Sequence, residues 1–96
     1  MVVQWSRKAQ AELKRAYEYI KSMSLQHAEK VKNDIVHHSE SLAVNPERYP
    51  PDKFKIGNNG QYRFFVLYHY RISYKIMDDV VLIVRMRHTS MSPLAY

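Results

Sequence analysis

The chain has 96 residues, 46% of them hydrophobic, and its 15 Lys and Arg against 9 Asp and Glu give a formal charge of +6. That length supports one small domain, residues 1–96, with a modest core and no second module. There is no cysteine, which removes disulfides, thiolate nucleophiles and the common zinc frameworks; residues 1–7 lack the apolar stretch of a signal peptide, and no apolar run reaches the roughly 18 residues of a membrane span, so a cytoplasmic protein with no membrane partner is expected.

Val2 to Trp5 is short, β-branched and aromatic and reads as a strand. Ser6 follows as an N-cap, and from Arg7 to Lys21 the apolar positions Ala9, Leu13, Ala16, Tyr17 and Ile20 recur at helical spacing. Ser22-Met23-Ser24 breaks this pattern and offers a second N-cap. Ala28, Val31, Ile35 and Leu42 then mark one face of another helix ending near Asn45-Pro46, and two helices joined so tightly predict an antiparallel hairpin. Asn45 to Gly60 holds three of the four prolines and both glycines, which predicts a long, weakly ordered connection and leaves no glycine for a phosphate-binding loop elsewhere.

Beyond it the period changes to two. Tyr62, Phe64, Val66 and Tyr68 alternate with Arg63, Phe65, Leu67 and His69; Tyr70, Ile72, Tyr74 and Ile76 alternate with Arg71, Ser73 and Lys75; Met77-Asp78-Asp79 turns the chain into Val80 to Arg87. The predicted fold is therefore α+β with the order β-αα-βββ: an N-terminal strand, then an antiparallel helical hairpin packed on one face of a mainly antiparallel four-stranded sheet. Ile72, Tyr74, Ile76, Leu82, Val84 and Met86 are expected under the hairpin.

The charge is uneven. Residues 1–45 carry seven basic and five acidic side chains, residues 46–96 eight and four, and no acidic residue interrupts the stretch from Lys53 to Lys75. Lys53, Lys55, Arg63, Lys75 and Arg85 are candidate contacts to nucleic acid, because strand alternation puts Arg71 with Lys75, and Arg85 with Arg87, on the face turned from the hairpin. A row of cations interleaved with Tyr and Phe suits a phosphate-rich or acidic partner, although a basic open sheet face is also simply a solvated one. Adjacent His37 and His38 diverge by about 100° on a helix, and His27 and His69 complete no ligand spacing, so neither a metal nor another cofactor is expected.

The Trp-led strand, the helical hairpin, Tyr70-Arg71-Ile72-Ser73-Tyr74, the Asp-Asp turn and the apolar strand running into Arg87-His88-Thr89-Ser90 together resemble the RelE/ParE superfamily of bacterial toxins from type II toxin-antitoxin pairs. The resemblance covers essentially the whole chain. It implies a cognate antitoxin as partner and one of two targets: RelE-like members cut mRNA on the ribosome without a metal, and ParE-like members poison DNA gyrase. Arg71 matches the arginine that RelE-type nucleases use to hold the scissile phosphate, and Lys53 and Lys55 fall where RelE carries a lysine pair. Arg87 and His88 sit where nucleolytic members place an arginine and a general acid or base, and Tyr96 corresponds to their C-terminal tyrosine. Ribosome-dependent mRNA cleavage by Arg71, Arg87, His88 and Tyr96 is thus the leading expectation. A gyrase poison without nuclease activity is the second, and a non-catalytic module for nucleic acid or an acidic protein is the third. His88 also falls on the side of Val84 and Met86 by alternation, as a packed histidine would.

Overall fold

The computed structural model describes residues 1–96. Strand β1 (Val2–Trp5) leads through Ser6 into α1 (Arg7–Lys21), and a short turn leads into α2 (Leu25–Glu40). Both helices begin at the expected serines: Ser6 Oγ accepts the Ala9 N–H at 3.0 Å and Ser24 Oγ accepts the His27 N–H at 3.1 Å, each satisfying a donor that the first helical turn leaves open. α2 stops at Glu40, short of the expected end, and two separate 3-10 turns follow at Ser41–Ala43 and Pro46–Arg48. Ser39 and Ser41 donate their hydroxyls back to the carbonyls of Ile35 and His38 at 2.8 and 2.6 Å, the local competition that weakens a helix end.

β2 (Tyr62–Leu67), β3 (Tyr70–Ile76) and β4 (Val80–His88) form the expected meander. The sheet order is β1-β4-β3-β2, with β1 parallel to β4 and the other two pairs antiparallel. The sheet is therefore mixed, and the β-αα-βββ arrangement holds. Ala9, Ala16 and Ile20 of α1 and Ala28, Val31 and Ile35 of α2 pack on Phe65, Ile72, Tyr74, Val81, Ile83 and Met86; the alanines let the helices approach closely.

The apolar face expected of β4 needs correcting. Tyr74 pairs with Ile83 but Ser73 pairs with Arg85, so Val84 is an extra residue, a β-bulge that shifts the alternation by one. Val81 and Ile83 face the helices before the bulge and Met86 after it, while Leu82 and Val84 stay partly exposed. Arg85 and Arg87 still fall on the far face, and the bulge is what lets Ile83 and Met86 share the near one.

β1 ends opposite Ile83, and beyond that point α1 satisfies the outer edge of β4. Ser6 Oγ donates to the Val84 carbonyl at 3.2 Å, and Glu12 Oε1 accepts the Met86 N–H at 2.9 Å. Glu12→Ala leaves that amide unpaired and is expected to cost about 1–3 kcal/mol. Glu12→Gln keeps an acceptor oxygen and should cost far less, a contrast that urea denaturation of the two variants measures.

Candidate functional site

The sheet face turned from the helices carries three rows of side chains set by strand register. Val66, Arg71 and Arg87 stand side by side, then Phe64, Ser73 and Arg85, then Tyr62, Lys75 and Leu82, because directly paired residues share a face. This is the cationic surface that alternation predicts, but it is not open. The connection from Pro50 to Gly60 and the segment from Thr89 to Tyr96 both lie across it. Pro51 bridges Arg63, Asp52 N–H donates to the Tyr62 carbonyl at 2.8 Å, and Tyr96 exchanges backbone bonds with Phe54 and Ile56 at 3.0 and 2.6 Å. The connection is more ordered than its composition predicts. Asn58 fixes it by donating from Nδ2 to the carbonyls of Asp52 and Tyr62, at 3.1 and 2.8 Å, and accepting the Gly60 and Tyr62 N–H groups at Oδ1.

At the centre sits Asp52, 1% exposed. Its Oδ2 accepts the hydroxyls of Ser73 and Tyr96, both at 2.7 Å, and its Oδ1 accepts the Phe54 N–H at 3.0 Å and Arg71 Nη2 at 3.1 Å. Burial pushes the Asp52 carboxyl up, but the bonds from Ser73, Tyr96, Phe54 and Arg71 outweigh it and hold the group below its usual value, so it is a carboxylate at neutral pH. The Tyr96 hydroxyl is pushed up by burial and by its bond to Asp52; it stays protonated and acts as a donor. Arg71 is packed as well as paired: its guanidinium carbon lies 3.6 Å from the Phe64 ring centre and 4.7 Å from that of Phe54, both within cation-π range.

The other candidates divide. Arg85 donates to the Leu94 carbonyl at 2.8 Å and lies 4.5 Å from the Tyr96 ring centre, and Arg87 Nε donates to the Ser92 carbonyl at 2.8 Å. Lys55 donates to the Tyr96 carbonyl at 3.1 Å over the rings of Tyr62 and Tyr96. Lys75 stands over Tyr62 and Lys53 over Phe54. Arg63 is apart from this group: it pairs with Tyr74 on the helix side of the sheet, and its guanidinium serves the carbonyls of Gly60, Glu47 and Tyr49. His88 Nδ1 accepts the Ser90 N–H at 3.0 Å, which leaves the neutral ring its proton on Nε2.

Arg71, Arg87, His88 and Tyr96 do converge, on one cavity of about 90 Å³ that Asp52 and Ser73 also line. That volume is far below the roughly 300 Å³ at which small-molecule sites begin. Asp52 is the residue that sequence reasoning missed. Its signal is present as the single acidic residue between Glu47 and Asp78 in a cationic stretch, placed directly after Pro50-Pro51.

Residues 3–93 match the family model for the ParE toxin of type II toxin-antitoxin systems, parDE. Among solved structures, the fold is similar to a chain of a chromosomal ParDE toxin-antitoxin system from P. aeruginosa, with 22% identity, a TM-score of 0.74 and coverage of 92% of this chain and 95% of that one. It is also similar to a chain of the toxin-antitoxin complex RelBE2 from Mycobacterium tuberculosis, with 19% identity, a TM-score of 0.62 and coverage of 91% and 88%. No curated protein matches the sequence. No helix is long and apolar enough to cross a membrane.

Proposed function

We propose, from the premise that the chain belongs to the ParE toxin family of type II toxin-antitoxin systems, that it arrests growth by docking onto DNA gyrase rather than by cutting mRNA. A cognate antitoxin neutralises it, as the pairing in both similar complexes suggests. Cytoplasmic action follows from that target.

The observation that supports this reading is Asp52. Metal-independent RNA cleavage needs free cations around the phosphorus oxygens and an acid and a base within reach of the reacting atoms. Here the arginine expected to hold the scissile phosphate is 18% exposed and bonded to a buried carboxylate, and a phosphate brought to Arg71 meets that negative charge. The residues after His88 occupy the space above Arg85 and Arg87. A docking protein needs no such vacancy.

The convergence of Arg71, Arg87, His88 and Tyr96 on one cavity supports a second reading, mRNA cleavage after the C-terminal segment swings away, with Arg71 and Arg87 as phosphate clamp and His88 as acid or base. Two assays separate the readings. Purified toxin is expected to block supercoiling by purified DNA gyrase and to leave mRNA on programmed ribosomes intact. Ribosome-dependent cuts that vanish in Arg71→Ala and His88→Ala, with gyrase unaffected, would reverse the order.

A further inference from the structure

The β2–β3 hairpin turns on Tyr68 and His69, with φ of 53° and 65°. Leu67 pairs with Tyr70 across them, so this is a two-residue turn with left-handed backbone at both positions, the geometry that Asn-Gly ordinarily fills. Bulky side chains resist that conformation, and such strain persists only where neighbours hold it. They do so here. The Tyr68 hydroxyl donates to the Asp34 carboxylate of α2, and the His69 carbonyl accepts the Thr89 N–H at 2.7 Å. The His27 ring stands edge-on to Tyr68, the His69 ring lies 6.3 Å from that of His88, and His88 stands edge-on to Tyr70.

Beside this turn a groove of about 580 Å³ opens between α1 and the adjoining ends of β3 and β4, lined by Arg15, Tyr19, Tyr70, Met86, Arg87 and His88 among others. Glu12, its one carboxylate, is engaged by the Met86 amide. The only ion pairs in the protein are Lys30–Asp34 and Arg71–Asp52, so Arg15 and Arg87 bring two guanidinium groups without a carboxylate partner to a floor of tyrosine and methionine, Arg87 giving only its Nε–H to the Ser92 carbonyl. Tyr, Arg and Met are the residues that dominate the centres of protein interfaces.

We propose that this end of the molecule, the strained turn with the groove beside it, is the surface by which the toxin grips its target protein, and that the groove takes a target segment carrying a carboxylate flanked by apolar side chains. The carboxylate pairs with Arg15 or Arg87 while its neighbours settle on Tyr19, Tyr70 and Met86. A nucleic-acid strand fits less well, because a cationic track leading on from Arg87 would run over Arg71, which is paired with the Asp52 carboxylate, and over Arg85, which is buried at 9% exposure. The inference rests on the reading that the target is a protein; it does not require that protein to be gyrase.

Arg15 and Tyr19 are exposed, Tyr19 at 65%, and neither side chain holds the fold. Arg15→Glu with Tyr19→Ala is therefore expected to melt close to the unchanged protein and to weaken target engagement about 100-fold, so that cells expressing it alone keep growing. His69→Gly relieves the turn and should melt about 4–8 °C higher while arresting growth less. Loss of activity accompanied by a gain in stability is an outcome that a purely structural role does not give. Full growth arrest by a folded Arg15→Glu, Tyr19→Ala protein overturns the proposal. So does tight binding of a single-stranded RNA oligonucleotide that this variant abolishes, which would assign the groove to nucleic acid. If the unchanged toxin leaves purified gyrase active, the choice of gyrase fails by itself, and the growth assay still decides the surface.

Discussion

Asp52→Ala is expected to cost about 3–5 kcal/mol, the penalty of removing one partner from a buried ion pair, and to lower the melting temperature by about 12–40 °C in a domain of this size. The carboxylate is the common acceptor for Ser73, Phe54, Arg71 and Tyr96. Without it, Arg71 keeps its charge against Phe64 with no partner, and the Tyr96 ring loses its anchor on the sheet. Asp52→Asn should fall between, since an amide keeps one acceptor but turns two donor hydrogens toward donors. Thermal melts followed by circular dichroism give the stability, and tyrosine fluorescence follows release of the C-terminal segment. Acid reports on the same bond. A carboxyl held below its ordinary value of 3.8 contributes its full stabilisation above that value and loses it as the pH falls through the lowered one, because the unfolded chain then binds the proton more readily. The C-terminal segment should stay docked at pH 5 and release only in stronger acid. A loss below about 1 kcal/mol for Asp52→Ala, no more than a surface pair is worth, would mean that Arg71 is available to a phosphate and would favour RNA cleavage over gyrase docking.

Ile72→Ala is the second large effect, expected to cost about 2–5 kcal/mol. Ile72 is fully buried in β3 between Phe65 of β2 and Met86 of β4, where truncation opens a cavity that rigid strands on either side close poorly. A domain of 96 residues has only about 5–14 kcal/mol in all, so the variant should unfold at much lower urea concentration. Ile72→Val removes one methylene and should cost about 0.5–1.5 kcal/mol. Val66, 52% exposed on the far face of the same sheet, serves as the contrast: Val66→Ala should stay within about 0.5 kcal/mol of the unchanged protein. Equal losses at positions 66 and 72 would contradict the assignment of the two faces.

The helical hairpin was legible because its determinants are local. Ser6 and Ser24 cap where a hydroxyl meets the first open N–H groups, and Ala9, Ala16, Val31 and Ile35 recur at helical spacing. Arg71, Ser73, Arg85 and Arg87 were placed on one face correctly for a similar reason, since alternation along a strand needs no knowledge of its partner. Leu82 and Val84 failed because a bulge depends on the pairing of β4 with β3, which changes the period without any mark such as glycine. The strand expected to continue through His69 fails likewise: Tyr68 and His69 carry no turn chemistry, and their left-handed backbone is imposed by Asp34 and Thr89 from distant parts of the chain.

The sequence by itself determined the order of elements, the two faces of β3 and the excess of positive charge on the sheet half, because each follows from neighbours within a few residues. Only the tertiary structure decided what that charge is available for. Asp52 lies 19 residues from Arg71 and 44 from Tyr96, and a buried carboxylate selects its partners through space, by desolvation and hydrogen bonding together. Folding therefore pairs Arg71 with a carboxylate at the centre of the sheet and leaves Arg15 and Arg87 without one at its end, beside a turn whose strain the rest of the fold holds in place.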